Sequence, residues 1–200
     1  MKVIKVEPLG FASNSYILTA DSKTAVVIDP YERRVIELLK QQSLECKYVL
    51  LTHGHFDHVG MCGKLFEIGA HICCDEREKD YIFSLENREL LGGVHIPEFK
   101  ISRTFRDGEK FNLCGIEFTA IHTPGHTSGS MCYLVEDCLF SGDTLFKCGV
   151  GRTDLPTGNC TELIASIKKL FALDGDFKVY TGHGEDTTLN YERQYNPFVR

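Results

Sequence analysis

The apolar stretch Tyr48 to Leu51 runs directly into Thr52-His53-Gly54-His55-Phe56-Asp57-His58, which places three imidazoles and a carboxylate within six residues. Neutral imidazole nitrogens and carboxylate oxygens are borderline ligands, suited to Zn²⁺ or a similar transition ion. Four such groups this close strain or repel one another unless a cation lies among them. The fold must therefore bring this run to a shared cation. A buried strand from Cys46 to Leu51, with the cluster at its C-terminal end, would do so, because open α/β sheets keep their ligand sites at such ends.

The rest of the chain supplies elements to surround that strand. Val3 to Val6, Ser15 to Thr19 and Thr24 to Ile28 read as strands, with Asp21-Ser22-Lys23 as a hairpin turn. Val35, Ile36, Leu38 and Leu39 recur at helical spacing. Past the cluster, the pattern predicts a helix through about Phe66, a short strand at Ala70 to Cys73 and a polar helical stretch from Asp75 to Leu90, with Gly92-Gly93 and Pro97 marking a loop. A strand-rich half follows: Phe111 to Leu113, Ile116 to Ile121, Ser130 to Leu134 and Cys138 to Ser141. A last helix, Thr161 to Phe171, opens with Thr161 as its cap and aligns Leu163, Ile164, Ile167 and Leu170. Lys178 to Thr181 is then a strand ending at Gly182-His183-Gly184. Without a repeat, a low-complexity tract or a linker, residues 1–200 are expected to form one domain, and a 42% hydrophobic content is enough to fill its core.

Charge and cysteine usage narrow the partners. The formal charge of -6 reflects 28 acidic against 22 basic residues with no long basic block, which argues against a nucleic-acid partner. Nine cysteines are an odd number, and Cys73 and Cys74 are adjacent, so reduced thiols are expected rather than a disulfide framework. The start, Met1 to Glu7, is punctuated by charges and has no apolar core for export. The expectation is a cytoplasmic protein with no membrane partner.

Three further ligand-type residues fall at the ends of predicted strands, each among small or turn-forming residues. His126 lies in Thr123-Pro124-Gly125-His126-Thr127-Ser128-Gly129, Asp143 in Ser141-Gly142-Asp143-Thr144, and His183 between two glycines. Glycine at such points lets the backbone turn sharply or approach closely. Seven ligand-type residues exceed what one zinc takes from protein and suit two ions sharing a carboxylate. His71, His95 and His122 lie outside this pattern and are expected to be structural or exposed, and cysteines such as Cys148 to be small buried hydrophobes.

The His-x-His-x-Asp-His run with the later His126, Asp143 and His183 resembles the metallo-β-lactamase-fold superfamily of hydrolases, along nearly the whole chain. Gly151-Arg152-Thr153-Asp154-Leu155-Pro156, Gly182-His183-Gly184 with Thr187-Thr188, and Glu192-Arg193 with Asn196-Pro197-Phe198 are similar to short, single-domain glyoxalase-II-like hydrolases. The resemblance implies an α+β fold, a four-layer αββα sandwich with the metals at one edge. It implies one metal at His53, His55 and His126, a second at Asp57, His58 and His183, and Asp143 bridging them. Two divalent ions are implied, zinc by preference, with iron and manganese also suited to these ligands.

The implied reaction is hydrolysis of a small-molecule acyl thioester, such as S-lactoylglutathione, by a metal-bridging hydroxide available near neutral pH. Asp57 would orient the nucleophile or take its proton. A thiolate leaves with little protonation, so no separate general acid is needed. Arg152 and Asp154 either form a loop ion pair or orient a metal-bound histidine or the substrate edge. Long glyoxalase II enzymes carry an added helical domain that helps hold glutathione. Only 17 residues follow His183, so glutathione selectivity stays open. One rival is a persulfide dioxygenase of the same fold with a single iron. Its similar Gly-Arg loop commonly follows a cysteine, where this chain has Val150. Another is a non-hydrolytic metal scaffold or redox module of the flavodiiron kind, which has Glu at the position of His55. An exported β-lactamase and an RNA-processing nuclease fit the start of the chain and its acidic balance less well.

Overall fold

In the computed structural model, which describes residues 1–10, 12–89 and 98–199, the chain opens on a meander of three antiparallel strands, β1 (Lys2–Val6), β2 (Ser15–Thr19) and β3 (Thr24–Ile28). The Asp21 carboxylate shapes the β2–β3 turn by accepting from the amides of Lys23 and Thr24. Helix α1 (Arg34–Gln41) then returns the chain so that β4 (Glu45–Leu50) lies parallel to β3. Helices α2 (Phe56–Val59) and α3 (Cys62–Glu67) do the same for β5 (His71–Asp75). Helices α4 (Glu76–Tyr81) and α5 (Leu85–Glu89) precede β6 (Ile101–Phe105), also parallel, and the first sheet runs β1 to β6 in order.

The second sheet starts with an antiparallel meander, β7 (Lys110–Leu113), β8 (Ile116–His122), β9 (Met131–Val135) and β10 (Cys138–Gly142). A small hairpin, β11 (Leu145–Phe146) with β12 (Gly149–Val150), and helix α6 (Cys160–Phe171) lead to β13 (Lys178–Thr181), which joins β10 in parallel. β14 (Thr187–Thr188) closes that edge, and α7 (Leu189–Tyr195) ends the order.

Side-chain alternation shows how the layers stack. Ile17, Ala25, Val27, Val49 and Ile72 of the first sheet pack with Val35 and Leu39 of α1 and Cys62 and Leu65 of α3. The opposite faces of the same strands, with Tyr16, Val26, Ile28, Leu50 and Cys73, pack on Phe118, Ala120, Tyr133 and Phe140 of the second sheet. The outer face of that sheet, with Ile121, Cys132, Leu139 and Val179, is covered by Leu163, Ile167 and Leu170 of α6. The order is helix, sheet, sheet, helix: the expected αββα sandwich. Central strands covered on both faces read as unbroken apolar runs, as Tyr48 to Leu51 does.

Several expectations need correction. The helical stretch from Asp75 to Leu90 is two short helices, α4 and α5. Asp75 belongs to β5 and caps α4 by accepting from the Arg77 amide. Leu90, Gly92-Gly93, His95 and Pro97 lie outside the described residues. The helix after the cluster is likewise split, into α2 and α3, and the strand placed at Ala70 to Cys73 runs His71–Asp75. The cap of α6 is Asn159, whose carboxamide oxygen accepts from the amides of Thr161 and Glu162. β6 gave no clear apolar signal because it is partly exposed, with the Arg103 guanidinium 4.7 Å over the Phe105 ring. All nine cysteines are unpaired, but Cys148 is exposed rather than buried, in the β11–β12 turn with φ +54°. Among the described residues no helix is long and apolar enough to cross a membrane.

If Asn159 is the cap, Asn159→Ala lowers unfolding free energy by about 1 kcal/mol, whereas Thr161→Ala stays within about 0.5 kcal/mol. Urea denaturation of both variants checks this, and the reverse ranking would restore Thr161 as the cap.

Candidate metal centre

The ends of β4, β8, β10 and β13 converge at one edge of the sandwich, and hydrogen bonds between and within the two sheets hold them there. The Met131 amide donates to Thr52 O at 2.8 Å, the Gly182 amide to Gly142 O at 2.8 Å, and the Tyr133 hydroxyl to Leu51 O at 2.8 Å. Past β4 the chain delivers His53 and His55, and Asp57 and His58 lie in α2, which follows at once. A register shift between Phe140 and Gly142 ends β10 just before Asp143. Gly142 is needed there: its φ is +49°, and a Cβ would stand 2.4 Å from the Thr52 hydroxyl. His126 comes from the β8–β9 loop, and His183 directly follows the Thr181-Gly182 end of β13.

All seven predicted residues meet. Ligand-type atoms lie within 4.8 Å of one another in three groups: His53, His55 and His126; His53, His58 and Asp143; and Asp57, His58 and His183. Asp143 stands between the outer two groups, with Oδ2 3.5 Å from His126 Nε2 and 3.4 Å from His183 Nε2, and Oδ1 3.4 Å from His58 Nε2. Asp57 Oδ2 is 3.2 Å from His183 Nε2.

Four of the imidazoles are anchored by their outer nitrogen. His58 Nδ1 is 2.9 Å from Asp29 Oδ2, His126 Nδ1 is 2.7 Å from Arg152 O, His53 Nδ1 is 3.2 Å from Thr52 Oγ1, and His55 Nε2 is 3.1 Å from Tyr81 Oη. Such contacts fix the orientation of each ring and turn the other nitrogen inward. Inside, His53 Nε2, His58 Nε2 and Asp143 Oδ1 are fully buried with no hydrogen-bond partner. Each such atom costs about 1–3 kcal/mol, and a cation among them removes that cost. The donor set of imidazole and carboxylate is also what a divalent transition ion takes. The residues fit a metal, and the cluster is a divalent-metal site.

Three anchors escaped the sequence reading. Asp29 accepts from the Thr52 amide at 2.8 Å and hydroxyl at 2.6 Å as well as holding His58, and its φ of +50° is a strained conformation for a side-chain-bearing residue. Its only signal was a carboxylate at the end of a buried parallel strand. Tyr81 and Glu78 come from α4, where the sequence Glu76-Arg77-Glu78-Lys79-Asp80-Tyr81 reads as solvated. Arg152 and Asp154 form an exposed bidentate pair at 2.7 and 2.8 Å. It is the main-chain carbonyl of Arg152 that touches a histidine. His71 is exposed, as expected, and half-buried His122 lies 2.8 Å from the Arg77 guanidinium. A cavity of about 220 Å³ is lined by His55, Asp57, His126, Asp143 and His183, together with Phe56, Arg152 and Leu155.

Burial, then the imidazoles of His58, His126 and His55, hold His53 well below the ordinary histidine range. Burial and His126 bring His55 down to about 3. Burial also opposes charge on His58 and His183, but carboxylates outweigh it. Asp143, Asp29 and Asp57 raise His58, and Asp143 and Asp57 raise His183 to about 9. A raised histidine stabilises the ion-free fold fully below its unperturbed value of 6.5 and loses that contribution as pH rises through about 9. Metal needs the deprotonated ring, so affinity should strengthen over the same interval, with roughly one proton released per raised histidine at pH near 7. Calorimetric zinc titration in buffers of different ionisation enthalpy measures this, and a binding heat independent of buffer would contradict it.

The family model of the metallo-beta-lactamase superfamily matches residues 8–183. A Haemophilus influenzae protein named hydroxyacylglutathione hydrolase GloC is 36% identical over 206 residues, covering 98% of this chain and 97% of its own. Among solved structures, BLEG-1 B3 metallo-beta-lactamase superposes with a TM-score of 0.92 at 33% identity, covering 99% of both chains. TTHA1623 in a di-iron-bound form superposes with a TM-score of 0.84 at 30% identity, covering 98% of this chain and 99% of its own.

Proposed function

Since the chain belongs to the metallo-beta-lactamase superfamily and is a metallo-hydrolase, we propose that it hydrolyses small-molecule acyl thioesters in the manner of glyoxalase II, S-lactoylglutathione among them. The observation that carries this reading is the position of Asp143, whose carboxylate reaches toward both outer groups at once. His53, His55 and His126 would hold one divalent ion, Asp57, His58 and His183 a second, and Asp143 would bridge them. The likeness to a protein described as di-iron-bound supports two ions, and zinc, iron and manganese all suit the ligands. The likeness to a hydroxyacylglutathione hydrolase over nearly the full chain supports the thioester.

Bound ions supply Lewis acidity and a water acidified to near neutral pH. The chain's own groups do the rest. The carboxylate oxygen Oδ2 of Asp57 lines the cavity beside His183 and can orient the attacking water and accept its proton. The Arg152 carbonyl and Asp29 keep His126 and His58 from turning. A departing thiolate needs no proton, which agrees with the small donor set around the cavity. Phe56 and Leu155 offer apolar contact to the substrate. Nine free thiols support a reducing, cytoplasmic setting, and residues 1–200 are read as one catalytic domain without a nucleic-acid or membrane partner.

Metal analysis of protein purified without added metal, beside turnover of S-lactoylglutathione, tests the reading. Two ions per chain with thioester turnover are expected. One iron with oxygen uptake on glutathione persulfide would establish the dioxygenase instead, full occupancy without turnover the scaffold, and hydrolysis of a β-lactam alone the activity named for the BLEG-1 structure. Asp143→Ala should lower turnover by more than the roughly 100-fold upper range of outer partners and reduce the ion count. Two ions retained with normal turnover would rule out the bridge.

A further inference from the structure

Glu78 is fully buried, yet its partners are three uncharged donors on two different loops. Its Oε2 accepts from the Gly54 amide at 2.6 Å. Its Oε1 accepts from the Gly129 amide at 3.0 Å and the Thr127 hydroxyl at 2.7 Å. Gly54 separates His53 from His55, and Thr127 and Gly129 follow His126 in its loop. One carboxylate therefore ties together the two loops that carry His53, His55 and His126. Helix α5 completes the hold, because the Asn87 carboxamide donates to the Gly54 carbonyl at 2.8 Å. Both main-chain polar groups of the residue between two candidate ligands are thus fixed by side chains.

A side chain at either glycine would have to displace the Glu78 carboxylate. A Cβ on Gly54 would lie 2.7 Å from Glu78 Oε2, and one on Gly129 would lie 2.7 Å from Glu78 Oε1. The chemistry of the linker is equally restricted. Only a carboxylate offers acceptors on both of its terminal atoms. Glutamine in the same place would accept from one loop and present N–H to the N–H of the other. Burial pushes the Glu78 carboxyl up to about 7, against the hydrogen bonds from Thr127, Gly54 and Gly129. A buried carboxylate of this kind adds little to stability compared with an apolar side chain of its size, so its presence is better explained by what it positions.

We propose that Glu78 is a positioning residue that sets the spacing of His53, His55 and His126, and with it the affinity of the ion they share. Glu78 does this from behind the ligand loops, without touching the ion. The proposal rests on reading those three histidines as the ligands of one ion. It gives two buried carboxylates different tasks: Asp29 holds the His58 ring and, through Thr52, the His53 ring, whereas Glu78 ties the backbone of the His53–His55 loop to that of the His126 loop.

Wild-type protein, Glu78→Gln and Glu78→Asp are loaded with zinc and titrated against a chromophoric chelator, with urea denaturation of each ion-free protein alongside. In Glu78→Gln the affinity of one ion should fall about 10- to 100-fold, the range for outer partners of metal ligands, while the other ion keeps its wild-type affinity. Glu78→Asp keeps two acceptor atoms on a shorter arm and should recover part of the loss. If Glu78→Gln shifts only the denaturation midpoint and binds zinc as wild type does, the residue is merely structural and the proposal is overturned. If wild-type protein holds a single ion, the two-ion reading fails. The proposal is then decided by that ion's affinity: a drop in Glu78→Gln supports it and an unchanged value overturns it. Should Glu78→Gln fail to fold, Thr127→Val, which removes one of the three donors, carries the same comparison with a smaller expected drop.

Discussion

Burying imidazole and carboxylate atoms that face one another without hydrogen-bond partners is the constraint around which this fold is arranged. At the sandwich edge, His53, His58 and Asp143 each turn inward a buried atom that has no hydrogen-bond partner. Among the described residues one other buried side-chain atom, Asn87 Oδ1, lacks a partner, and it stands alone, whereas the buried Tyr133 and Tyr16 hydroxyls are paired with main-chain carbonyls. The contrast locates the cation more firmly than residue type does. An ordinary core would close over such atoms or replace them, whereas here they are kept in place by contacts from behind.

Those rear contacts divide the work between rigid elements. Directly after β3, Asp29 reaches the Thr52 main chain and the His58 ring together. Helix α4 contributes Glu78 and Tyr81, one toward the loop backbone and one toward His55. The Arg152 carbonyl holds His126 from the loop after β12. Ligand placement is therefore set largely by strands and helices, and Gly54, Gly125, Gly142 and Gly182, each next to a candidate ligand, lie where a Cβ would collide with a neighbouring segment.

The seven candidate ligands were legible in the sequence because imidazole and carboxylate are chemically distinctive, four of them crowd into one short run, and His126, Asp143 and His183 each stand next to a glycine after a strand-like segment. The layers were legible for a similar reason: central strands such as Thr24–Ile28 and the amphipathic helix ending at Phe171 carry strong patterns. The supporting residues were not. Glu78 sits in a run of charged residues whose composition describes a solvated helix, and only the packing of α4 against Gly54 and Gly129 shows that one of them points inward. Arg152 acts through its main chain, to which side-chain chemistry gives no clue. The cap at Asn159 was displaced by two residues because Thr161 is itself a good capping type, and the choice depends on which backbone leaves the helical region first.

The parallel pairing of β13 with β10 has a consequence for how the protein matures. His183 enters the centre only after α6 has carried the chain over the second sheet and β13 has docked beside β10. The ligand atoms thus come from segments far apart in the chain, and their meeting belongs to the late, long-range part of folding. A nascent chain still lacking β13 holds the histidine run without the partners that complete it. An ion held by the completed set would stabilise the folded chain over the unfolded one by mass action, and only a chain with β13 in place presents that set.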